Sequence, residues 1–186
     1  FLDSSVFQII QNLRPSNRGE FEITEALQGY IDSGRKIEHY NVDGWWKDLG
    51  TPQDILDANI LILEKLNTEI YGIVESKSSL DGTISIGKNT KISKGSLIRG
   101  PTIIGENSYI GSSVRVGPFT SIGNNVNIMK ADIENSIIMD NCIIDTPTRI
   151  INSIIGNDSR ITTMSPNSNI HKGNVFLLGE RSQVSF

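Results

Sequence analysis

From Val74 onward a branched aliphatic residue returns at every sixth position. Ile86, Ile92, Ile98, Ile104, Ile110, Val116, Ile122 and Ile128 run without a break. Val74 and Leu80 extend the series backwards, and Ile133, Ile138, Ile144, Ile150, Ile155 and Ile161 carry it on with gaps of five or six. Helices repeat near 3.6 residues and strands at 2, so neither element alone has this rhythm. A six-residue side, a turn and another such side close a triangular coil of about 18 residues, and internal repeats decide architecture before any local propensity does. Ile86 then lies under Ile104 and Ile122, and Ile92 under Ile110 and Ile128. Coils stacked at the ~4.8 Å strand spacing satisfy one another's backbone groups.

Four residues after many of these aliphatics comes a small or β-branched residue: Thr90, Ser96, Thr102, Ser108, Val114, Thr120, Val126, Cys142, Thr148 and Ser159. These are expected where the triangle narrows. Gly105, Gly111, Gly117 and Gly123 directly follow their aliphatics and are expected at the corners, where freedom in φ is useful. About five such coils fit between Val74 and Ile161, and each buried aliphatic contributes roughly 1.5–3 kcal/mol. The pattern resembles the hexapeptide repeat of left-handed parallel β-helices. That resemblance supplies the handedness; general crossover rules favour the opposite hand. The ending "NVFLLGERSQVSF" is expected to close the last coil and cap it, as solenoids require.

The first sixty-odd residues follow a different period. In "DSSVFQIIQNL", Val6, Ile9, Ile10 and Leu13 share a helical face, with Asp3 or Ser4 available as a cap. In "EITEALQGYIDSG", Ile23, Ala26, Leu27, Tyr30 and Ile31 do the same, and Gly34 supplies the stop. "KIEHYNV" partly alternates and is expected as a strand. "GTPQDILDANILILEKL" offers Thr51 as N-cap, Pro52 at the first helical position and Asp54 at the third, with Leu56, Ile60 and Leu63 on its core face. These helices each need a sheet to cover, and this half holds too little strand to make one. The chain also opens at Phe1 without an initiator methionine, so a piece of a longer protein is expected.

Net charge −4 argues against a nucleic-acid or anionic-membrane surface. No apolar run approaches the roughly 20 residues of a membrane span, and no signal-peptide pattern is present. A single cysteine, Cys142, suits a reducing cytoplasm, and two histidines beside it make a His/Cys zinc cage a poor reading. The repeat glycines follow coil geometry, and no G-x-x-x-x-G-K-[ST] phosphate loop occurs. Cys142 occupies a small repeat position and reads as a packed thiol. His39 reads as structural. His171 is the one candidate general base for acyl transfer on a β-helix.

The denser chemical signal is "RGEFEIT" at 18–24 and "GWWKDLGTPQDILDAN" at 44–59. Asp48 offers a hard oxygen to a divalent cation. Trp46, two residues back along an extended chain, points to the same side and would wall a sugar pocket. On residue types alone, a core tryptophan and a loop carboxylate fit as well.

Taken together, these two motifs resemble the end of the nucleotidyltransferase domain of sugar-nucleotide pyrophosphorylases. They are most similar to glucose-1-phosphate thymidylyltransferases, whose usual text is R-G-E-L-E-I-T-D and W-x-D-T-G. The β-helix and the ending "FLLGERSQVSF" resemble the long form of that family. The resemblance implies a mixed fold: the helical C-terminal portion of an α/β nucleotidyltransferase domain (1–66), a linker and β-helix entry (67–79), and a left-handed parallel β-helix with its cap (80–186). It also implies formation of dTDP-glucose and pyrophosphate from dTTP and glucose 1-phosphate, with Mg²⁺ offsetting phosphate charge. Asp48 would be a metal ligand, Arg18 would face the sugar phosphate, and Glu20, Thr24 and Trp46 would shape the sugar side. Leu49 departs from the family's threonine; Phe21 replaces leucine and is expected to concern packing. The family's Gly-rich nucleotide loop, second aspartate and catalytic lysine have no counterpart here, so no catalytic residue is assigned and this chain alone is expected to be inactive. Alternatives are a pyrophosphorylase of another sugar or base, and a hexapeptide-repeat acyltransferase. Prism faces of this kind self-associate in related folds, so a homo-oligomer through the β-helix is expected.

Overall fold

The computed structural model describes residues 2–163 and 173–185. The chain divides into two compact units, residues 1–46 and residues 47–186. The second is a three-faced parallel coil. Its first face stacks seven strands: Glu69–Ile70, Ile84–Ile86, Thr102–Ile104, Thr120–Ile122, Ile137–Ile138, Ile154–Ile155 and Leu177–Leu178. The second runs from Ile73–Val74 through Lys91–Ile92, Tyr109–Ile110, Asn127–Glu134, Ile143–Ile151 and Arg160–Thr162 to Gln183–Ser185. The third holds Ser79–Asp81, Leu97–Arg99 and Arg115–Val116, then the far ends of Asn127–Glu134 and Ile143–Ile151, which turn a corner without breaking.

Registers follow the sequence period. Ile86 pairs with Ile104 and Ile104 with Ile122; Ile92 pairs with Ile110 and Ile110 with Ile128. Past Ile122 the same column continues through Ile138 and Ile155 to Leu178, and the coils absorb the shortened gaps without losing the stack. Every aliphatic from Ile86 to Ile161 in the series is buried. The fold is the hexapeptide β-helix class expected from the repeat, about five turns long. The tail does close it, since Gln183–Ser185 pairs with Arg160–Thr162.

The small repeat residues are buried too, and they carry hydrogen bonds as well as fit. Thr90 Oγ1 donates to the carbonyl of Gly105 at 2.6 Å, Ser96 Oγ to that of Gly111 at 2.8 Å and Ser108 Oγ to that of Gly123 at 3.0 Å. Each hydroxyl thus satisfies a carbonyl in the next coil, which a buried carbonyl requires. Cys142 plays the same part: it is fully buried, with Sγ 3.1 Å from the carbonyl of Gly156. Burial pushes its thiol pKa up, so the packed-thiol reading holds.

The repeat glycines serve a different purpose from the one expected. Of Gly105, Gly111, Gly117 and Gly123, only Gly117 has positive φ, at +91°. The others are needed for close approach between coils: a Cβ on Gly105 would stand 2.6 Å from the carbonyl carbon of Gly123. Left-handed backbone falls instead on Asn89, Asn107, Asn125, Asn141 and Asp158, at φ between +55° and +60°. Asparagine tolerates that region because its short amide bonds locally. Here the amides also bond along the stack, Asn89 to Asn107 at 3.1 Å, Asn125 to Asn141 at 3.1 Å and Asn141 to Asp158 at 3.0 Å.

Helix α1 (Val6–Ile10) and helix α2 (Ile23–Asp32) make up the regular part of residues 1–46. They bury Val6, Ala26 and Tyr30, while Ile10, Ile23 and Ile31 stay exposed, so the expected apolar faces are only partly covered. Gly34 stops α2 with φ +79°, as expected. No strand forms over "KIEHYNV"; that segment has no ladder partner among the described residues, and its Tyr40, Val42 and His39 are exposed. Phe21 is 65% exposed, so packing does not explain it in this chain. Helix α3 (Pro52–Leu63) belongs to the second unit. Its capping box is complete: the Asp54 amide donates to Thr51 Oγ1 at 3.2 Å and the Thr51 amide to Asp54 Oδ2 at 3.0 Å. Asn59 on α3 bonds the β-helix directly, donating to the Phe119 carbonyl at 3.2 Å and accepting from Ser121 Oγ at 2.5 Å.

Candidate functional site

The chain immediately before α2 turns back on itself. The Ser16 amide donates to the Glu20 carbonyl and the Gly19 amide to the Ser16 carbonyl, each at 2.8 Å, with Gly19 at φ +77°. This turn sets Arg18 beside Glu22, the residue that precedes α2: Nη2 donates to Oε1 at 2.7 Å. Ser16 Oγ donates to the same carboxylate oxygen at 3.1 Å. The Arg18 hydrogen bond, helped by Ser16, holds the Glu22 carboxyl below its ordinary value, and Glu22 in turn raises that of Arg18. The pair is open to solvent, with 74% of the Arg18 side chain exposed, so screening leaves it weak.

An open depression of about 390 Å³ lies here, lined by Arg14, Ser16, Arg18, Glu22 and Glu25 among others. Glu22 occupies one of the five N–H donors of Arg18, and the rest of the fork is available to an anion. Glu20 and Thr24 are exposed and do not line the depression. The structure therefore groups Arg18 with Arg14, Ser16 and Glu22, which the motif reading had not singled out. The signal was present in "RPSNRGEFE", where a Pro-Ser-Asn turn brings two arginines and a glutamate round one bend.

Trp46, at the end of the first unit, is 76% exposed, which removes the core alternative for it in this chain. In the second unit, the stretch carrying Asp48 is held through its neighbour. Lys47 Nζ sits 2.7 Å from Asp57 and 3.3 Å from Asp54, both on α3. The carboxyls respond accordingly. Asp54 is lowered by the Thr51 hydroxyl and by Lys47, and Asp57 by Lys47 and Gln53. Lys47 pins the extended segment to the start of α3 and leaves Asp48 exposed, with no ion-pair or hydrogen-bond partner among the described residues. An unpaired carboxylate on an anchored backbone fits one place in the oxygen shell of a hard cation. No group of three or more His, Cys, Asp or Glu stands ready for a metal among the described residues, so Asp48 would need donors from elsewhere. His171 lies outside the described residues, and no described helix is long and apolar enough to cross a membrane.

Residues 1–65 match the family model described as nucleotidyl transferase, and residues 98–185 match that of the GMPPB C-terminal domain. A glucose-1-phosphate thymidylyltransferase from Streptomyces antibioticus is 35% identical over 184 residues, 99% of this chain and 50% of that protein. The chain is homologous to glucose-1-phosphate thymidylyltransferases. The low-salt glycan biosynthesis nucleotidyltransferase Agl11 of Haloferax volcanii is 38% identical over 180 residues, 97% of this chain and 50% of its own length. The bifunctional protein GlmU of Methanococcus vannielii is 33% identical over 158 residues, 84% of this chain and 38% of its own. The chain thus spans about half the length of the thymidylyltransferase and Agl11 relatives. Both sequence motifs, at 18–24 and 44–59, lie within the stretch that matches the nucleotidyl transferase model, and the second runs into α3.

Proposed function

We propose that this chain is the C-terminal part of a sugar-1-phosphate nucleotidyltransferase that joins dTTP to glucose 1-phosphate and releases pyrophosphate. The observation that carries the reading is homology over 99% of the chain; the open arginine-lined depression at Arg18 and the unpaired carboxylate of Asp48 beside the anchored Lys47 support it. Arg18 takes the phosphate of the sugar phosphate, its fork matching the oxygens while Glu22, itself bonded by the Ser16 hydroxyl, holds the guanidinium in place. Glu20, Thr24 and Trp46 contribute to the sugar side. Asp48 supplies one carboxylate to Mg²⁺, which when bound offsets the negative charge of the phosphates. Lys47 keeps Asp48 at a fixed distance from α3. The β-helix is structural and joins copies of the protein into a homo-oligomer, and the whole works in the cytoplasm.

The test uses the protein that carries this chain together with a complete nucleotidyltransferase domain, with pyrophosphate release as the readout. Arg18→Lys raises KM for glucose 1-phosphate about tenfold or more and leaves that for dTTP unchanged, because it removes a bidentate phosphate contact. Asp48→Asn lowers kcat about a hundredfold, as loss of a charged metal ligand does. Competition among nucleotides and sugar phosphates identifies the base and the sugar. Wild-type kinetics in both variants would overturn the assignment. The 186-residue chain alone is expected to release no pyrophosphate.

A further inference from the structure

The third face of the β-helix carries a charged depression unconnected with the residues discussed so far. Its outward column reads Leu97, Arg115, Asp132 and Arg149 on successive coils, which the ladder registers place side by side. Arg99 stands two residues along from Leu97, on the same outward side. Two adjoining hollows of about 390 and 400 Å³ share Arg115, Asp132 and Arg149; one adds Lys130 and the other Arg99 and Glu134. Four cations therefore face Asp132 and Glu134. Arg149 is paired with Glu134 at 2.9 Å, and Lys130 reaches Asp145 at 3.7 Å. Arg99 and Arg115 have no ion-pair partner among the described residues. Counting Asp145, the depression keeps one positive charge in excess, in a chain whose net charge is −4.

Neighbouring coils lie ~4.8 Å apart, so Arg115 and Arg149 stand on either side of Asp132, within the range over which solvent screens charges only partly. Arg99 and Arg115 present whole forks of N–H donors to one hollow, an arrangement suited to the oxygens of a phosphoryl group. Ser112 and Ser113 line the adjoining hollow, which Arg115 also borders. The backbone beneath belongs to a buried stack, Ile98, Val116, Ile133 and Ile150, so Arg99, Arg115 and Arg149 stand on a rigid platform. We infer that this face binds a small phosphorylated anion, with Arg99 and Arg115 as the residues that hold the phosphoryl oxygens.

The test is a titration of the 186-residue chain followed by NMR of the arginine Nε–Hε groups, at constant ionic strength set with chloride. One arm uses inorganic phosphate and the other glucose 1-phosphate. Saturable movement of the Arg99 and Arg115 signals is expected, with a dissociation constant of about 1 mM or tighter. Arg99→Gln with Arg115→Gln weakens binding at least about tenfold, as loss of charge-assisted forks does. Movement in both arms means that the phosphoryl group alone is read; movement only with glucose 1-phosphate means that the attached sugar contributes. Arg18→Gln leaves these signals moving as before, which separates this face from the sugar-phosphate site proposed above. Absence of saturable movement in both arms, or undiminished binding in the double variant, overturns the inference.

Discussion

In the β-helix each isoleucine rests on another from the coil below, and every described coil face finds its hydrogen bonds in its neighbours. Residues 1–46 bury Val6, Ala26 and Tyr30 but leave Phe7, Phe21, Ile23, Tyr40 and Val42 at 61–89% exposure. The contrast shows two ways of spending apolar residues. A repeat satisfies itself locally, whereas a pair of short helices has one face apiece and no sheet to lay it on. The proposed chemistry sits with the less covered stretch and with the segment that Lys47 ties to α3.

Substitutions in the two regions are expected to differ sharply in their effect on stability. Gly105→Val forces a Cβ into the Gly123 backbone and is expected to cost more than about 4 kcal/mol, seen as loss of the cooperative β-sheet transition in thermal circular dichroism. Ile104→Ala opens a cavity in the stack and costs about 2–5 kcal/mol by urea denaturation. Phe21→Ala, a larger truncation at an exposed site, stays within about 0.5 kcal/mol in the same assay. Equal losses for those last two would erase the distinction between the regions.

Smaller effects test how α3 is fastened. Thr51→Ala removes the capping box and costs about 1 kcal/mol. Asp54 and Asp57 have carboxyls lowered by their hydrogen bonds to Thr51 and Lys47. Lowered folded-state values mean a contribution that is complete above the ordinary carboxylate range and is lost as pH falls through the depressed values. Amides over 47–57 therefore lose protection, measured against the intrinsic exchange rate at each pH, below about pH 4, while those of the Ile104 and Ile122 strands keep theirs.

The β-helix was legible because a period of six leaves a chain few other ways to bury its isoleucines, and the stack confirms each pairing from Ile86 to Ile128. The role of the glycines was not. Period alone cannot separate a residue that needs positive φ from one that must lack a Cβ, and the corner conformation fell to the asparagine of each Ile-Gly-x-Asn. That asparagine recurs three residues after Ile86, Ile104 and Ile122, so the signal was there. "KIEHYNV" misled because alternation marks a strand only where a partner strand exists. At the site, the motifs named Arg18 and Asp48, but the pairing of Arg18 with Glu22 and of Lys47 with Asp54 and Asp57 emerges only from distances.

Hydrogen–deuterium exchange with peptide resolution puts the two regions on one scale. Amides over 84–161 are expected to exchange only on global unfolding, and those over 6–32 to exchange orders of magnitude sooner through local opening. Equal protection in both stretches would contradict it.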